Sequence, residues 1–209
     1  MDLARSFGEQ LARPHGWAGS LLGAAMDVAN RRPMQQAVDL LDPRAGERIC
    51  DIGCGTGAAS RRIARDQACS ILGVDRSETM LAAANRAARR AGLSHSCSYL
   101  HGDLADLALE TESFDAVLAL NVLYFCDAQS RMIAAMRRLL KPDGRLVGYV
   151  TDRATMENWA FARSGTHRLF DAGQLHHAFV VGGFRADRIA IESRRIARKI
   201  TGLFVVAGA

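Results

Sequence analysis

The chain reads Arg48-Ile49-Cys50-Asp51-Ile52-Gly53-Cys54-Gly55-Thr56-Gly57, a short apolar run that ends in a carboxylate and continues with a glycine at every second position. A helical pattern from Ala58 to Arg65 follows directly. This order predicts a strand, a loop and the N-terminus of a helix, and we call residues 51–57 the glycine loop. Because glycine has no Cβ, a ligand can approach the backbone of such a loop closely.

Two further carboxylates follow predicted strands. Ile71-Leu72-Gly73-Val74-Asp75 ends in an acid about 18 residues after the glycine loop, near the spacing at which nucleotide-binding folds place the acid that binds ribose hydroxyls. The third strand, near Cys97–Leu100, is followed by His101-Gly102-Asp103, where a carboxylate can accept a hydrogen bond from an adenine amino group. The sequence therefore predicts a site for a nucleotide-like cofactor.

From residue 47 onward the chain alternates strand and helix patterns. The fourth strand, Phe114–Leu120, contains a continuous apolar run, which is typical of a strand buried on both faces of a parallel sheet. The last two strand patterns are joined by too few residues for a crossover helix, so we expect an antiparallel hairpin. The other expected elements are strands Arg48–Asp51, Ser70–Asp75, Arg145–Val150, Arg185–Glu192 and Ile200–Ala207; helices Gly57–Asp66, Ser77–Gly92, Ala128–Leu140 and Ala172–Val181, the last capped by Asp171; and a turn at Lys141-Pro142-Asp143-Gly144.

The first 42 residues carry helical patterns that are interrupted at Pro14-His15-Gly16 and at Arg31-Arg32-Pro33. We interpret residues 1–42 as a helical N-terminal cap or lid over a main domain formed by residues 43–209. Helices packed on the outside of the sheet are an equally good interpretation of the same pattern.

The composition is that of an ordinary globular protein. Of 209 residues, 49% are apolar and 23% are charged, and no apolar run is long enough to span a membrane. The N-terminus lacks the pattern of a signal peptide. The five cysteines are odd in number and form no Cys-x-x-Cys pair, which favours small buried side chains over disulfides or a zinc site. From this use of cysteine we expect a reducing, cytoplasmic setting.

The net charge of +5 is partly concentrated near the end of the chain. Arg185–Lys199 contains five arginines and one lysine against Asp187 and Glu192. Such a segment suits a solvated face or an anionic partner, and an anionic membrane surface is one candidate. No aromatic side chains are interleaved with these charges, so we expect no nucleic-acid partner.

The acid in front of the glycines distinguishes between cofactors. Dinucleotide sites usually have no charge there, because a carboxylate would repel the pyrophosphate. S-adenosylmethionine carries an ammonium group and a sulfonium cation, which Asp51 would attract.

These segments resemble motifs of the class I S-adenosylmethionine-dependent methyltransferases, of the small bacterial type. The glycine loop is similar to the first motif of that family, and Gly73-Val74-Asp75-Arg76-Ser77 is similar to the second. Gly102-Asp103-Leu104 resembles the motif at the adenine end, and Asn121-Val122-Leu123-Tyr124-Phe125 resembles the segment under the methionine part of the cofactor. Leu139-Leu140-Lys141-Pro142-Asp143-Gly144-Arg145-Leu146 resembles a further common motif.

The resemblance implies an α/β fold, a Rossmann-like three-layer sandwich. Its seven-stranded, mostly parallel sheet would have the order 3-2-1-4-5-7-6 with strand 7 antiparallel, and the cofactor would be S-adenosylmethionine, converted to S-adenosylhomocysteine. The cofactor-binding residues it implies are Asp51, Gly53, Cys54, Gly55, Gly57, Asp75, Arg76, Met80, Gly102, Asp103, Leu104, Asn121 and Tyr124.

The expected reaction is in-line transfer of a methyl group to an O, N or C nucleophile of a small-molecule acceptor, a metabolite or natural product. The alternatives are N-methylation of a phospholipid headgroup at a membrane surface and a non-enzymatic, regulatory use of the same fold. Alignment of the reactants supplies most of such catalysis, so no catalytic residue is assigned. The candidates are Tyr124, His15, Tyr149 and His167, and we expect no metal. The sequence leaves the acceptor, and the choice between monomer and homodimer, open.

Overall fold

The computed structural model describes residues 26–159, 162 and 167–209. The helices expected before residue 26, together with the candidate His15, lie outside the described residues. The proposed division into a cap of residues 1–42 and a domain of residues 43–209 therefore stays a prediction.

The sheet has seven strands in the order β3-β2-β1-β4-β5-β7-β6, which confirms the expected topology. Strands β1 to β5 pair in parallel, and β7 is antiparallel to both β5 and β6. The strands are β1 (Arg48–Ile52), β2 (Ser70–Asp75), β3 (Cys97–His101), β4 (Phe114–Leu120), β5 (Leu140–Thr151), β6 (Ile189–Ala197) and β7 (Ile200–Gly208).

Helices cover both faces of this sheet. They are α1 (Arg31–Leu41), α2 (Ala58–Asp66), α3 (Glu78–Arg90), α4 (Arg131–Leu139), the single turn α5 (Arg153–Met156) and α6 (Ala172–Val181). Within β4, Ala116 and Leu118 belong to the apolar layer under α1 and α2, whereas Val117 and Ala119 belong to the layer under α4 and α6. Burial on both faces explains the continuous apolar run in β4 and gives the three-layer sandwich.

Two predicted helix starts are explained by capping. Ser77 accepts a hydrogen bond from the Met80 N–H and begins α3, as expected. Asp171 begins α6 through a capping box, in which its side chain accepts from the Gln174 N–H and its own N–H donates to the Gln174 side chain.

The predicted turn at residues 141–144 is wrong, because these residues lie inside β5. Phe114 of β4 pairs with Leu140, and two residues further Ala116 pairs with Arg145, so the extra residues of β5 form a bulge. Pro142 has no N–H to donate to the ladder, and it lies in the exposed part of that bulge.

Smaller corrections concern element ends. Helix α4 begins at Arg131 rather than at residue 128, and β6 begins at Ile189 rather than at residue 185, after a 3₁₀ turn at Ala186–Arg188. Strand β6 also ends at Ala197 rather than at residue 192, so the basic residues Arg194 and Arg195 lie within this edge strand. In the described ranges no helix is both long enough and apolar enough to cross a membrane.

The topology defines where a ligand can bind. Strands β2 and β4 flank β1 on opposite sides, and the chain order reverses at this point of the sheet. Open α/β sheets bind ligands at such a reversal, outside the carboxyl ends of the strands. We call the side of the sheet where the parallel strands end the carboxyl edge. The glycine loop lies at this edge, directly after β1.

Candidate cofactor site

The glycine loop contains three left-handed residues. Gly53, Gly55 and Gly57 have φ angles of 68°, 54° and 71°, a conformation that L-residues with a side chain adopt at a cost. A Cβ on Gly53 would come within 2.9 Å of the Val122 side chain, and a Cβ on Gly57 would overlap Tyr99. A Cβ on Gly55 would meet no atom within 4 Å, so at this glycine the backbone faces open space.

Asp51 lies buried at the base of the loop. Its Oδ2 accepts a hydrogen bond of 2.6 Å from the Ser60 hydroxyl in α2. Burial raises the pKa of the Asp51 carboxyl to about 6; the charge of Asp75 adds to the rise, and the hydrogen bond from Ser60 opposes it. A carboxylate held in this way is available for a cation, whose binding would compensate the cost of burying the negative charge.

Asp75 connects the end of β2 to the glycine loop. Its Oδ2 accepts the Gly55 N–H at 2.8 Å, and its Oδ1 accepts the Ser77 N–H at 2.8 Å. Burial raises the pKa of Asp75, and the backbone hydrogen bonds lower it in part. Each carboxylate oxygen has a second lone pair, so Asp75 retains acceptor capacity toward the ribose hydroxyls that the sequence assigns to it.

Asp103 follows β3 and already has two partners. Its Oδ2 lies 3.4 Å from Nε of Arg76, and its Oδ1 accepts the Ala105 N–H at 3.1 Å. Arg76 lies in the loop after β2, and Asp103 lies in the loop after β3. Their ion pair therefore holds these two loops together beside the cleft.

These residues surround one cleft, which encloses about 1200 Å³ of empty space with the open solvent at its mouth included. The structure places the following predicted cofactor residues in its wall: Asp51, Gly53, Cys54, Gly55, Asp75, Arg76, Met80, Gly102, Asp103, Leu104 and Asn121. It does not place Gly57 or Tyr124 there; Gly57 begins α2 and packs on Tyr99.

Tyr124 points into the core. Its hydroxyl donates to Oδ1 of Asn121 at 3.3 Å and accepts the Thr151 N–H, and burial raises the pKa of the phenol far above its usual range. Asn121 lines the cleft with a left-handed φ of 56°, a strained conformation that functional sites often contain. Tyr124 therefore touches the cleft through Asn121 and not directly.

The two other candidates among the described residues, Tyr149 and His167, do not line the cleft. Tyr149 is buried between the sheet and α1, with its hydroxyl 3.4 Å from Oγ1 of Thr151. His167 packs against the rings of Tyr124 and Phe125, at centroid distances of 5.8 and 5.1 Å, and burial lowers its pKa. Of these aromatic residues, Phe125 is the one that lines the cleft.

Sequence reasoning missed the contribution of the segment just before α1. Asp27 accepts a hydrogen bond of 2.7 Å from the Thr56 hydroxyl of the glycine loop, and burial raises the pKa of this carboxyl. Met26, Asn30 and Met34 line the cleft beside it. The spacing of these residues is helical, but the sequence offers no sign of which face of the helix meets the loop.

All five cysteines are buried and free, as expected. Within the described ranges, no group of three or more His, Cys, Asp or Glu side chains is arranged to hold a metal.

Residues 50–148 match the family model described as Methyltransferase domain. The family model, the curated relatives and the solved structures together support a class I S-adenosylmethionine-dependent methyltransferase. The matched range contains all the cleft residues that follow β1, β2, β3 and β4, and the segment with Asp27 lies outside it.

Curated relatives are similar to this chain over part of their length. The chain is 29% identical over 136 residues to a sterol 24-C-methyltransferase of Candida albicans, covering 62% of this chain and 36% of the relative. It is 32% identical over 123 residues to the 27-O-demethylrifamycin SV methyltransferase of Amycolatopsis mediterranei, covering 59% and 45%. The chain thus spans less than half the length of either relative.

The fold of this chain also occurs in solved structures. The [4+2]-cyclase SpnF superimposes with a TM-score of 0.72 at 24% identity, covering 85% of this chain and 80% of that one. A likeness at this level of identity concerns the fold alone. Since that neighbour is named for a cyclisation, the fold does not by itself identify the reaction.

The cleft fits the cofactor that gives the family its name. Four carboxylates, Asp27, Asp51, Asp75 and Asp103, line a cleft that contains one cationic side chain, Arg76, among the described residues. This excess of negative charge suits a cationic ligand and disfavours a pyrophosphate. Gly55 leaves the space that such a ligand would occupy.

Proposed function

We propose that this protein is an S-adenosylmethionine-dependent methyltransferase whose acceptor is a small apolar molecule. One observation carries the proposal: the glycine loop after β1 exposes the backbone of Gly55 between the buried carboxylate of Asp51 and the half-buried carboxylate of Asp75. A buried carboxylate is costly unless it is paired. A ligand with an ammonium group, ribose hydroxyls and a sulfonium cation would compensate that cost at both acids.

Each acid has a proposed partner on the cofactor. Asp51 and Asp27 attract the ammonium group, Asp75 accepts hydrogen bonds from the ribose hydroxyls, and Asp103 accepts one from the adenine amino group. When bound, S-adenosylmethionine supplies a methyl group on a sulfonium centre. The protein contributes orientation and exclusion of water, which are the main requirements of an in-line displacement.

The cleft wall indicates the acceptor class. Apart from the residues proposed for the cofactor, it is made largely of apolar side chains, namely Met26, Met34, Leu120, Val122, Phe125 and Met132. Methionine and phenylalanine side chains form adaptable apolar surfaces. The two curated relatives, named for a sterol and for a rifamycin derivative, support a small acceptor with extensive apolar surface.

The same charges argue against methylation of a phospholipid headgroup in this cleft. The phosphate of such a headgroup would enter a cleft that contains four carboxylates, and it would be repelled.

The structure supports alignment rather than a general base as the source of catalysis. The Tyr124 hydroxyl is occupied by two hydrogen bonds in the core, and we propose that it acts as a positioning residue for Asn121. An acceptor that reacts as an ionised or carbon nucleophile needs no base from the protein.

Gly55→Ala tests the cofactor site by calorimetric titration with S-adenosylmethionine and S-adenosylhomocysteine. The added methyl group would occupy cleft space, and we expect at least a 30-fold loss of affinity for both, on the order of 2 kcal/mol. Gly92→Ala is the matched control, because Gly92 has a φ of 70° and equally open surroundings far from the cleft. Both variants bear the same backbone strain, so equal binding by the two would contradict the proposed site.

A second measurement separates methyl transfer from binding without that reaction. The full chain is incubated with methyl-labelled S-adenosylmethionine and a panel of sterols and polyketides. We expect label to be transferred to one apolar acceptor class. Tight cofactor binding without transfer to any acceptor would favour a non-enzymatic role or another reaction.

A further inference from the structure

Five exposed cationic residues lie close together where α1 begins and where β6 turns into β7. They are Arg31, Arg32, Arg195, Arg198 and Lys199, and we call them the basic surface. A hydrogen bond of 3.1 Å from the Arg32 guanidinium to the Ile196 carbonyl joins the two segments. The basic surface is therefore one patch, although its members are separated by about 160 residues in the chain.

The strand register places this surface at the carboxyl edge of the sheet. Thr151, the last residue of β5, pairs with Gly202 of β7. Thr201 pairs with Arg195, and Ile200 pairs with Ala197, so the β6–β7 turn extends past the end of β5. The glycine loop follows β1 at this same edge. From β1 to β6 there are four strand spacings, or roughly 19 Å.

The start of α1 connects the basic surface to the cleft. Met26, Asp27, Asn30 and Met34 line the cleft on one side of this helical segment. Val28 is on another side, 78% exposed, and precedes Arg31 and Arg32 by three and four residues. Residues three and four apart are neighbours on a helix surface. An exposed aliphatic side chain thus lies beside the arginines at the cleft mouth.

The described carboxylates do not neutralise these charges. Among the described residues, no carboxylate forms an ion pair with any member of the basic surface. Two nearby arginines differ, since Arg185 pairs with Asp187 and Arg194 pairs with Glu192. The sequence predicts one basic cluster over Arg185–Lys199. In the described part of the chain, three of its cations, Arg195, Arg198 and Lys199, form no ion pair.

We propose that the basic surface docks the mouth of the cleft onto an anionic phospholipid bilayer. Arginine and lysine side chains of this length reach lipid phosphates while their methylene groups cover apolar surface. Exposed Val28 supplies an aliphatic contact, which a bilayer accepts and a nucleic acid does not. No aromatic residue occurs in residues 26–34 or 185–200, so base stacking is not available here.

Docking in this position brings the cleft to the bilayer that holds the acceptor, an inference that rests on the proposed function. An apolar acceptor partitions into bilayers, and a cleft that faces the bilayer receives it without passage through water. The lipid is thus the source of the acceptor and not the methylated headgroup. Binding to the bilayer itself does not require the cofactor, so it can be measured separately.

Sedimentation of the full chain with vesicles tests the proposal. The vesicles contain phosphatidylcholine alone or phosphatidylcholine mixed with phosphatidylglycerol. We expect binding to the mixed vesicles only, and its loss at about 1 M salt, where the Debye length is about 3 Å. In the triple variant Arg195→Gln, Arg198→Gln, Lys199→Gln, affinity should fall on the order of 100-fold, about fivefold for each charge removed.

The matched control removes three exposed charges elsewhere. Arg86→Gln, Arg89→Gln and Arg90→Gln change α3 at the opposite edge of the sheet, and this variant should bind mixed vesicles as the unmodified chain does. The proposal would be overturned if both triple variants lost affinity for mixed vesicles equally, or if the unmodified chain did not bind vesicles. Salt-sensitive binding to duplex RNA in place of vesicles would also overturn it. Calorimetric affinity for S-adenosylhomocysteine should be the same in all three proteins. If none of the three proteins bound S-adenosylhomocysteine, the result would count against the proposed function and not against docking.

Discussion

The backbone N–H of Gly55 donates a 2.8 Å hydrogen bond to Oδ2 of Asp75. This contact joins the glycine loop after β1 to the acid after β2, and the same carboxylate accepts the Ser77 N–H at the start of α3. Asp75 therefore shapes the loop and faces the cleft at once. The separation of about 18 residues in the chain reflects this contact, because one helix must return the chain from β1 to β2.

Asp75→Ala should remove both functions of this carboxylate. We expect S-adenosylhomocysteine to bind at least 100-fold more weakly, since the ribose hydroxyls lose their acceptor and the Gly55 N–H loses its partner. The melting temperature should fall as well. Calorimetric titration and thermal unfolding measure the two effects.

Asp171→Ala is the control for the loss of a capping carboxylate. Asp171 caps α6 outside the cleft, and its removal should cost about 1 kcal/mol of stability without changing cofactor affinity. If Asp75→Ala behaved in the same way, Asp75 would be a cap and not a cofactor ligand.

Asp51→Asn should change how stability depends on pH. The pKa of Asp51 is raised to about 6 in the folded protein, against a usual value near 3.8. A raised carboxyl pKa stabilises the folded state below the unfolded pKa, and this contribution is lost as the pH rises through the folded pKa. The unfolding free energy of the Asn variant relative to the unmodified chain should therefore increase by about 2.4 kcal/mol between pH 4 and pH 7.

Urea unfolding at several pH values measures this difference, in which the titration of other groups cancels. A difference that does not vary with pH would show that Asp51 has an ordinary pKa. Cofactor binding supplies an independent check. A cation stabilises ionised Asp51, so the affinity for S-adenosylhomocysteine should fall about tenfold from pH 7 to pH 5, and less in the Asn variant.

Asp27→Asn should weaken the cofactor without weakening the fold. Burial raises the pKa of Asp27, so the neutral amide removes a cost of folding, and the melting temperature should not fall. The attraction for the ammonium group is lost, which corresponds to roughly tenfold in affinity for one charge acting across several ångströms of protein. Titration calorimetry with S-adenosylhomocysteine measures the effect.

Two substitutions of Thr56 test its hydrogen bond to Asp27. Thr56→Ser keeps the hydroxyl that donates to Asp27, and Thr56→Val removes it at nearly the same volume. The Val variant should lose affinity and the Ser variant should not. Equal affinities in the two would mean that the segment before α1 does not hold the glycine loop in its binding geometry.

Much of this protein was predictable because its signals are local. The glycines at every second position, the acid at the end of each strand and the continuous apolar run of β4 each reflect a requirement of the backbone at that point. The strand order followed from the family resemblance and was confirmed. The bulge in β5 was missed, since Pro142 and Gly144 look the same in a turn and in a bulge.

The contacts that the sequence did not reveal are those made between distant segments. Asp27 meets Thr56, and Arg32 meets Ile196, only after α1 has packed against the sheet. No spacing rule connects such residues. Tyr124 illustrates the same difficulty at short range. Its side chain turns into the core, although Asn121 and Phe125 on either side of it line the cleft, and the sequence alone does not distinguish these directions.

Tyr124→Phe distinguishes a positioning residue from a general base. The variant loses the donor to Asn121 and the acceptor of the Thr151 N–H, and one buried N–H without a partner should cost about 1–3 kcal/mol of stability. Because Asn121 is held at a left-handed φ, we expect kcat/KM to decrease as well, once an acceptor is known.

The pH–rate profile makes the distinction. If Tyr124 only positions Asn121, the profile keeps its shape in the Phe variant while its height falls, because the raised pKa keeps this phenol protonated throughout the working range. Tyr149→Phe is the control: its hydroxyl also lies near Thr151, at 3.4 Å, but on the face of the sheet covered by α1. It should lower stability slightly and leave kcat/KM unchanged. Loss of an ionisation from the profile of the Tyr124 variant alone would identify Tyr124 as the base.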